Sequence, residues 1–593
     1  MTDRSSDNAP PGSSTPGSST PGSSIPGVAE LGAALDLLLT EAALGPFRRF
    51  FPGRSALRFG QALVGRPGLV AERAGGLAAE LARVAGGGST LAPGAKDRRF
   101  ADPAWTGNPM LRRVMQAYLA TGAAALGLVE DVPLDWRDAE RMRFAVASLV
   151  EALAPSNNPL LSPEAWKAAI DSGGGSVLSG TRHLLSDLSA PPRVPTMVPP
   201  DAFTVGSDLA ATPGTVVLRT ALCELIQYQP ATESVRQLPL LIVPPTINKY
   251  YILDLAPGRS LVEYLVGAGQ QLFVLSWRNP DERHADWGFD AYVQAIIETV
   301  DAVAGICGTD AVHVLGACSG GILASLAAAV LNAEPQGSRS WRRGRGKHAR
   351  LASLTLLVTM LDQSRADVVG ALVDESTADA AIAASARKGY LDGRRLAEVF
   401  AWLRPGDLVW NYWVNNYLLG REPAKFDILF WNADTTRMTA GLHRDFVRAA
   451  VDNALASPGA VSVLGTEVDL AQVDLDSYVV AAVADHICSW QSCYRGSQLL
   501  GGKTRFVLSS SGHIAALVNP PGGKKASYQV SDDVSADPEA WQRTAATTQG
   551  SWWPDYASWL GTRSGEQVPA PGSPGSNRFR PIEPAPGSYV RAA

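Results

Sequence analysis

One short motif in this sequence has the residue types of a nucleophilic catalytic site. Gly316-Ala317-Cys318-Ser319-Gly320-Gly321 follows an apolar run at 311–315, which predicts a buried strand, and precedes an Ala- and Leu-rich run at 322–331, which predicts a helix. Strand, glycine-flanked turn and helix are the context of a nucleophile elbow, where the tight, strained turn requires small neighbours. The N-terminal N–H groups of the helix would stabilise a thiolate on Cys318. A buried structural cysteine is the alternative, and residues further along the chain favour catalysis.

An activated cysteine needs a base, and usually an acid that orients the base. Asp485, in AVADHICSW, follows a predicted strand at 478–483, and His513, in SSSGHIAALVNPP, follows a predicted strand at 504–508. The order nucleophile, acid, histidine is that of enzymes with this kind of elbow. Both residues come just after strand ends, so their loops should meet at one edge of a sheet. The sequence therefore predicts a triad of Cys318, Asp485 and His513.

Two other residues compete for these roles. Asp362 ends the predicted strand at 351–361 and is an alternative acid, and His486 is interpreted as a structural neighbour that shapes the Asp485 loop. His313 lies inside the elbow strand and is predicted to be a hydrogen-bonded core residue. No catalytic role is predicted for the remaining histidines, which are His183, His284, His348 and His443.

Acyl transfer also needs two backbone N–H donors that stabilise a developing oxyanion. The residue after the nucleophile, Ser319, is expected to supply one of them. The loop at 244–249, which follows a predicted strand at 238–243, is expected to supply the other. Ile247 is the predicted donor, to within one residue on either side.

Composition limits the possible classes of protein. The chain has 593 residues, 46% of them hydrophobic, and a formal net charge of −5, which argues against general attraction to nucleic acid. Its five cysteines form no C-x-x-C pair, which disfavours a disulfide framework or a structural zinc site and fits a reducing cytoplasm. We expect no signal peptide. The apolar stretch at 311–331 could pass for a membrane span, but its internal glycines favour a buried strand, turn and helix.

The pattern along the chain predicts three regions. Residues 1–28 repeat Pro-Gly-Ser-Ser and are predicted to form a disordered arm. Residues 29–200 have mainly helical periodicity and carry no catalytic constellation. In residues 201–593 buried strands alternate with helices, which predicts an α/β domain with a doubly wound, mostly parallel sheet.

Two segments interrupt the α/β pattern. Residues 362–477 are too long for a plain crossover and are rich in aromatic residues, so we predict an inserted cap over the catalytic edge. Residues 338–350 form a basic, glycine-containing loop that could hold phosphates. Because this loop leads from the elbow helix into the next strand, it falls at the opposite edge of the sheet, and a solvated surface loop is the favoured interpretation.

Several further motifs accompany the elbow. They are PPTINKYYILDLAPGRSLVEYLV, QLFVLSWRNP, WNYWVNNYLLG, WNADTTRM, DHICSW and SGHIAALVNPPG. In this order, and together with GACSGG, they resemble the signatures of polyhydroxyalkanoate synthases over residues 103–590. The resemblance implies an α/β-hydrolase fold with an inserted cap, preceded by a helical N-terminal domain. It also implies that Cys318, Asp485 and His513 occupy the positions of the family's catalytic triad.

The activity implied by the resemblance is that of a poly(3-hydroxyalkanoate) polymerase, an acyltransferase. Such an enzyme moves the acyl group of an (R)-3-hydroxyacyl-CoA onto cysteine as a thioester and extends a polyester, releasing coenzyme A. The implied partners are this substrate, the growing chain, the granule surface, granule-associated proteins and a second copy in a homodimer. The implied location is the cytoplasm, at the surface of polyester granules. No metal ion or redox cofactor is implied.

Alternatives to polymerisation use the same residues. A Cys-type α/β-hydrolase thioesterase or a polymer depolymerase would transfer the acyl group to water, and a non-catalytic granule-organising protein would keep only the fold. Substrate length stays open, because LGACSGG, WNYWVNNYLLG and WNADTTRM resemble the medium-chain type and GHIA, with Ala515, resembles the short-chain type. Cys488 and Ser489 in DHICSW depart from the residues that many members carry at these positions.

Overall fold

The computed structural model describes residues 54–95, 97–189, 191–333, 348–363, 375–485, 487–523, 525–534 and 537–592. The predicted arm at 1–28 and most of the basic loop at 338–350 lie outside these ranges. Within the described ranges the chain forms a helical N-terminal region, followed by a large sheet with helices on both faces.

Eleven strands of the described chain form one sheet. They are β1 Gly214–Arg219, β2 Cys223–Tyr228, β3 Leu240–Val243, β4 Leu272–Trp277, β5 Ala311–Ala317, β6 Arg350–Leu357, β7 Ser477–Ala482, β8 Thr504–Ser509, β9 Ser527–Ser531, β10 Ala546–Gln549 and β11 Glu583–Pro584. Their order across the sheet is β10-β9-β8-β7-β6-β5-β3-β4-β2-β1-β11.

The centre of the sheet, from β4 through β3, β5, β6 and β7 to β8, is parallel, as predicted. The outer strands pair antiparallel on both sides, and the sequence analysis predicted neither β9 nor β10. These two strands are SYQVS and ATTQ, in which polar residues hide the strand pattern.

Side chains of the central strands alternate between two hydrophobic cores. Leu241 and Val243 enter one core, and Leu240 and Ile242 enter the other, on the opposite face. Because both faces of a parallel sheet are covered, its central strands are mostly apolar, and β3, β4 and β5 are completely buried. The helices that cover the sheet are α8 Leu261–Gly267, α9 Phe289–Cys307, α10 Ser319–Ala333, α15 Trp490–Ser497, α16 His513–Leu517, α17 Pro538–Thr544 and α18 Trp553–Gly561.

The helical N-terminal region contains α1 Arg54–Val64, α2 Pro67–Gly86, α3 Ala104–Gly107, α4 Pro109–Asp131, α5 Trp136–Ala152, α6 Pro163–Asp171 and α7 Gly175–Ser189. Local sequence sets their starts. Asn108 caps α4 by accepting from the Met110 N–H, and Ser162 caps α6 by accepting from the Ala165 N–H, each with proline as the next residue. In the described part of the chain, no helix has the length and apolar character needed to cross a membrane.

A long insertion separates β6 from β7, although these strands are direct neighbours in the sheet. It contains α11 Glu375–Lys388, α12 Gly393–Leu403, α13 Asp427–Ala433 and α14 Ala440–Val451, together with two π-helical turns, Gly406–Trp410 and Trp413–Leu418. The N-terminal helices pack on these turns. The Trp413 Nε1–H donates to the Asn157 carbonyl at 3.0 Å, and the Tyr417 hydroxyl donates to Asp187 at 2.7 Å.

Candidate active site

The elbow turn joins β5 to α10 at Cys318. Cys318 has a φ of 50°, a strained value for a residue with a side chain. Glycine is required two residues before and two residues after Cys318, because a Cβ on Gly316 would lie 2.5 Å from the Gly321 Cα, and one on Gly320 would lie 2.3 Å from the Pro244 carbonyl oxygen. The Cys318 N–H donates to the Leu357 carbonyl at 2.8 Å and so ties the turn to β6. The turn thus holds the Cys318 thiol at the carboxyl edge of the parallel strands.

Asp485 and His513 reach the same edge from β7 and β8. The His513 Nδ1 lies 2.7 Å from the Asp485 Oδ2, and the Asp485 Oδ1 accepts the backbone N–H groups of Ile487 at 2.8 Å and Cys488 at 2.9 Å. Since the carboxylate accepts, Nδ1 carries the proton and Nε2 is left for Cys318. The Cys318 thiol is close enough to His513 to act on it electrostatically, and all three residues are buried.

The electrostatics of these residues favour a charged pair. The polar groups of Cys488, then of His513 and of the Ser319 backbone, lower the pKa of Cys318 against the opposing effect of burial. Burial alone would lower the pKa of His513, but the Asp485 carboxylate and the Cys318 sulfur outweigh it and raise that pKa. A thiolate beside an imidazolium is the state that attacks an activated acyl carbonyl.

The competing acid lies elsewhere. Asp362 accepts from the Asn453 side chain at 3.1 Å, and its other oxygen lies 3.6 Å from Arg495 Nε, whereas Asp485 occupies the position beside His513. His313 is a core residue as predicted, since it is fully buried between Ser353 at 2.7 Å and Ser564 at 3.2 Å. His486 lies outside the described residues.

The predicted oxyanion loop lies against the start of α10. The Thr246 N–H donates to the Ser319 Oγ at 2.9 Å, so this N–H is already occupied. Ile247 is buried, and Asn248 turns the chain with a φ of 63°. Within the described ranges, no acceptor binds the Ile247 N–H, which leaves it available to a ligand. The sequence analysis expected a backbone donor from Ser319, but it did not foresee that the Ser319 side chain would anchor this loop.

The insertion also contacts the oxyanion loop. The Trp431 Nε1–H donates to the Lys249 carbonyl at 2.7 Å, and the Thr436 hydroxyl donates to the Thr246 carbonyl at 3.4 Å. The Asn248 side-chain amide donates to the Asn432 carbonyl at 3.3 Å. The loop is therefore held between the nucleophile helix and the insertion.

Cys488 is a site residue whose importance the sequence alone did not reveal. The sequence analysis noted it only as an unusual residue in its motif. In the structure one donor or acceptor atom from each of Asp485, Cys488 and His513 lies within 4.8 Å of the others. Its place three residues after Asp485 was the available signal, since that residue and Cys488 share one loop.

The sequence is similar to two known protein families and to known polymerases. The family described as Poly-beta-hydroxybutyrate polymerase (PhaC) N-terminus matches residues 96–265, and the family described as alpha/beta hydrolase fold matches residues 239–520. Poly(3-hydroxyalkanoate) polymerase 1 of Ectopseudomonas oleovorans is 45% identical over 86% of this chain and 89% of its own length. Poly(3-hydroxyalkanoate) polymerase subunit PhaC of Cupriavidus necator is 41% identical over 84% of this chain and 83% of its own length.

Proposed function

The chain belongs to the poly(3-hydroxyalkanoate) polymerase family of acyltransferases, and we propose that it polymerises (R)-3-hydroxyacyl-CoA through a thioester on Cys318. The observation that carries the proposal is the 2.7 Å hydrogen bond between His513 and Asp485 at the edge of the sheet where the elbow between β5 and α10 holds the Cys318 thiol. The α/β-hydrolase fold supports the arrangement of these three residues, and membership of the polymerase family supports the proposed reaction.

Loading begins with the Cys318 sulfur. His513 takes the thiol proton at Nε2, and Asp485 stabilises the imidazolium through Nδ1. The thiolate attacks the thioester carbonyl of the substrate, and the Ser319 and Ile247 N–H groups stabilise the oxyanion. Coenzyme A leaves as a thiol after protonation. Because one thioester replaces another, the acyl group stays activated on Cys318.

Elongation uses the 3-hydroxyl group of a bound unit. This hydroxyl loses its proton to His513, with Asp485 supporting the charge, and its oxygen attacks the acyl thioester on Cys318. An ester bond forms, the C–S bond breaks, and Cys318 returns as a thiolate. The same attack by water would release the chain, so the enzyme must exclude water. The insertion supports this requirement, since Trp431 packs in the same hydrophobic core as Cys318.

We extend the proposal to the organisation of the chain. Residues 29–200 form a helical domain, residues 201–593 form the catalytic domain, and residues 362–477 form a cap that opens to admit substrate. The cap would also pass the growing chain, with dimerisation favouring its open state. A lag in coenzyme A release that shortens with protein concentration or with an oligomer primer is expected. Equal initial rates at every concentration and with primer would contradict this mechanism.

Granule association has a separate basis. The helical N-terminal region exposes large apolar side chains, among them Leu160 at 73%, Ile170 at 75% and Leu178 at 72% of their surface. Exposed apolar patches bind apolar partners, and a polyester surface is such a partner. We propose that this side of the helical domain faces the granule. Replacing these three residues by serine should reduce co-sedimentation with polymer particles while soluble turnover persists.

The central test of the proposed function is the nucleophile. Cys318→Ala should abolish coenzyme A release and the acyl-protein adduct, whereas Cys307→Ala, at a half-buried helix end, should retain both. Cys318→Ser should fold but react slowly, because an alkoxide is harder to form than a thiolate. Product analysis with short and medium (R)-3-hydroxyacyl-CoA distinguishes polymer from free hydroxy acid. Substantial turnover by Cys318→Ala would refute the mechanism, and free acid as the main product would indicate a thioesterase.

A further inference from the structure

Three side chains that can bind a metal ion converge at the carboxyl edge of the sheet. Asp485, Cys488 and His513 each bring one ligand atom, a carboxylate oxygen, a sulfur and an imidazole nitrogen, to within 4.8 Å of the other two. All three residues are buried, with 8%, 2% and 4% of their surfaces exposed. Among the residues that the structure describes, this is the one place where three such groups meet. The proposed reaction uses Asp485 and His513 but not the Cys488 thiol.

The donor set selects the kind of ion. A thiolate with an imidazole favours zinc over magnesium or calcium, which prefer oxygen ligands. Tetrahedral zinc holds sulfur, nitrogen and oxygen ligands about 3.4–3.6 Å from one another, so atoms at most 4.8 Å apart need shifts of about 1 Å to close around it. The charges also balance, because one thiolate and one carboxylate neutralise a divalent cation in a buried place.

The backbone already orients the Asp485 carboxylate as a ligand. Its Oδ1 accepts the N–H groups of Ile487 at 2.8 Å and Cys488 at 2.9 Å, which leaves Oδ2, 2.7 Å from the His513 Nδ1, to face the ion. Hydrogen bonds that fix a ligating carboxylate strengthen metal binding. Asp485 and Cys488 follow β7 and His513 follows β8, and these two strands pair in parallel, so the ligands stand on a rigid support.

We propose that Asp485, Cys488 and His513 bind Zn²⁺ and that the bound ion switches catalysis off. The inhibition rests on the proposed function, whereas the binding does not. Cys488 releases its thiol proton to solvent, and its sulfur gives an electron pair to the ion. A neutral imidazole that holds zinc at Nδ1 carries its proton on Nε2, and one that holds zinc at Nε2 has no lone pair left there. In both cases Nε2 cannot take the Cys318 proton, so loading and elongation stop.

The first experiment measures binding without any reaction. Untagged full-length protein is titrated with Co²⁺, which replaces Zn²⁺ and absorbs light by charge transfer from a thiolate ligand. The unmodified protein and Cys318→Ala should each bind one Co²⁺ with this absorption, and Zn²⁺ should displace it. Cys488→Val and Cys488→Ser should lose the absorption, because neither keeps the thiolate. Cys493→Val is the matched control, since it replaces another buried thiol and should keep the absorption.

The second experiment measures coenzyme A release, with each variant compared with its own rate in EDTA. Saturating Zn²⁺ should lower the rates of the unmodified protein and of Cys493→Val by at least about 100-fold, the usual contribution of a general base, and EDTA should restore them. Mg²⁺ should have no such effect. Half-inhibition of Cys488→Val should need more than about 100-fold more zinc, because loss of a direct ligand exceeds the loss of an outer contact.

Three results would overturn the inference. The unmodified protein could bind no Co²⁺, zinc could inhibit Cys488→Val and the unmodified protein at the same concentration, or Cys318→Ala could lose the cobalt absorption while Cys488→Val keeps it. The last result would place the ion on the nucleophile instead. Failure of the proposed function is a separate result, in which Cys318→Ala still releases coenzyme A while the cobalt titrations are unchanged.

Discussion

A buried carboxyl group lies where the helical N-terminal region meets the insertion. Glu151, near the end of α5, packs its carboxyl group against the π-helical turn Gly406–Trp410. Burial raises its pKa to about 7, the Arg99 guanidinium opposes the rise, and the Asp407 and Asp97 carboxyls add to it. Its Oε2 atom has no hydrogen-bond partner among the described residues. Glu151 is therefore favoured in its neutral form when the two regions are packed together.

The size of the effect follows from the pKa shift. The pKa of Glu151 rises from the usual value of 4.5 to about 7 when the two regions pack together. At about 1.4 kcal/mol per pH unit, this rise corresponds to about 3 kcal/mol of packing free energy. Because packing raises the pKa of this carboxyl group, the contact between the two regions becomes less stable as pH rises. Below about pH 4.5 Glu151 is neutral in both the packed and the separated states, and the contact has its full stability. As pH rises towards about 7 only the separated state ionises, so stability is lost, with no further loss well above that value.

Glu151→Gln removes this titration and keeps the shape of the side chain. In the unmodified protein the packing free energy should fall by about 2 kcal/mol between about pH 5.5 and pH 8, which is about a 30-fold loss of hydrogen-exchange protection in α7 after correction for intrinsic rates. In Glu151→Gln most of this dependence should disappear. Glu130→Gln, at an exposed position of α4, is the matched control. The same pH dependence in Glu151→Gln and in the unmodified protein would refute the reasoning.

Three further predictions concern the site and its supports. Asp485→Ala should keep the single-turnover release of coenzyme A and lose polymerisation, whereas His513→Ala should lose both by roughly three orders of magnitude. An equal loss of the single-turnover release in the two variants would contradict this division of roles. Trp431→Phe removes the 2.7 Å hydrogen bond to the Lys249 carbonyl, so turnover should fall about tenfold with little change in melting temperature. Gly180→Ala would place a Cβ 1.9 Å from the Tyr417 carbonyl oxygen, and hydrogen exchange should show the packing of α7 destabilised by about 1–3 kcal/mol. In the control Gly60→Ala the new Cβ has nothing within 4 Å, and the packing of α7 should not change.

The sequence was sufficient for the parts of this protein that depend on local patterns. Apolar runs of strand length, each followed by a helix, predicted the parallel centre of the sheet, because both faces of those strands are buried. The elbow could be predicted because the glycines it requires lie close together in the sequence. A Cβ on Gly316, for example, would lie 2.5 Å from the Gly321 Cα. The grouping of Cys318, Asp485 and His513 at one edge of the sheet was predicted because each residue follows a predicted strand.

The sheet edges and the N-terminal packing depended on distant partners and were not predictable in the same way. The β9 strand is half-polar and is defined by its antiparallel pairing with β8 rather than by its own residues. The contact of α7 with the Trp413–Leu418 turn joins segments more than 200 residues apart, as in the 3.2 Å contact between His183 and the Asn416 carbonyl. Neither segment carries a local signal for the other, because packing complementarity depends on shape in three dimensions.

Within the site, the sequence identified the residue types and the tertiary structure determined their connections. The turn made Cys318 a candidate nucleophile, and the residues Asp485 and His513 further along the chain favoured it over a buried structural cysteine. Only the fold placed the Cys488 thiol beside Asp485 and His513, and the Ser319 hydroxyl on the Thr246 N–H. The physical reason is that hydrogen bonds between side chains are directional and short, so they depend on how β5, β7 and the oxyanion loop are positioned relative to one another, which no local pattern specifies.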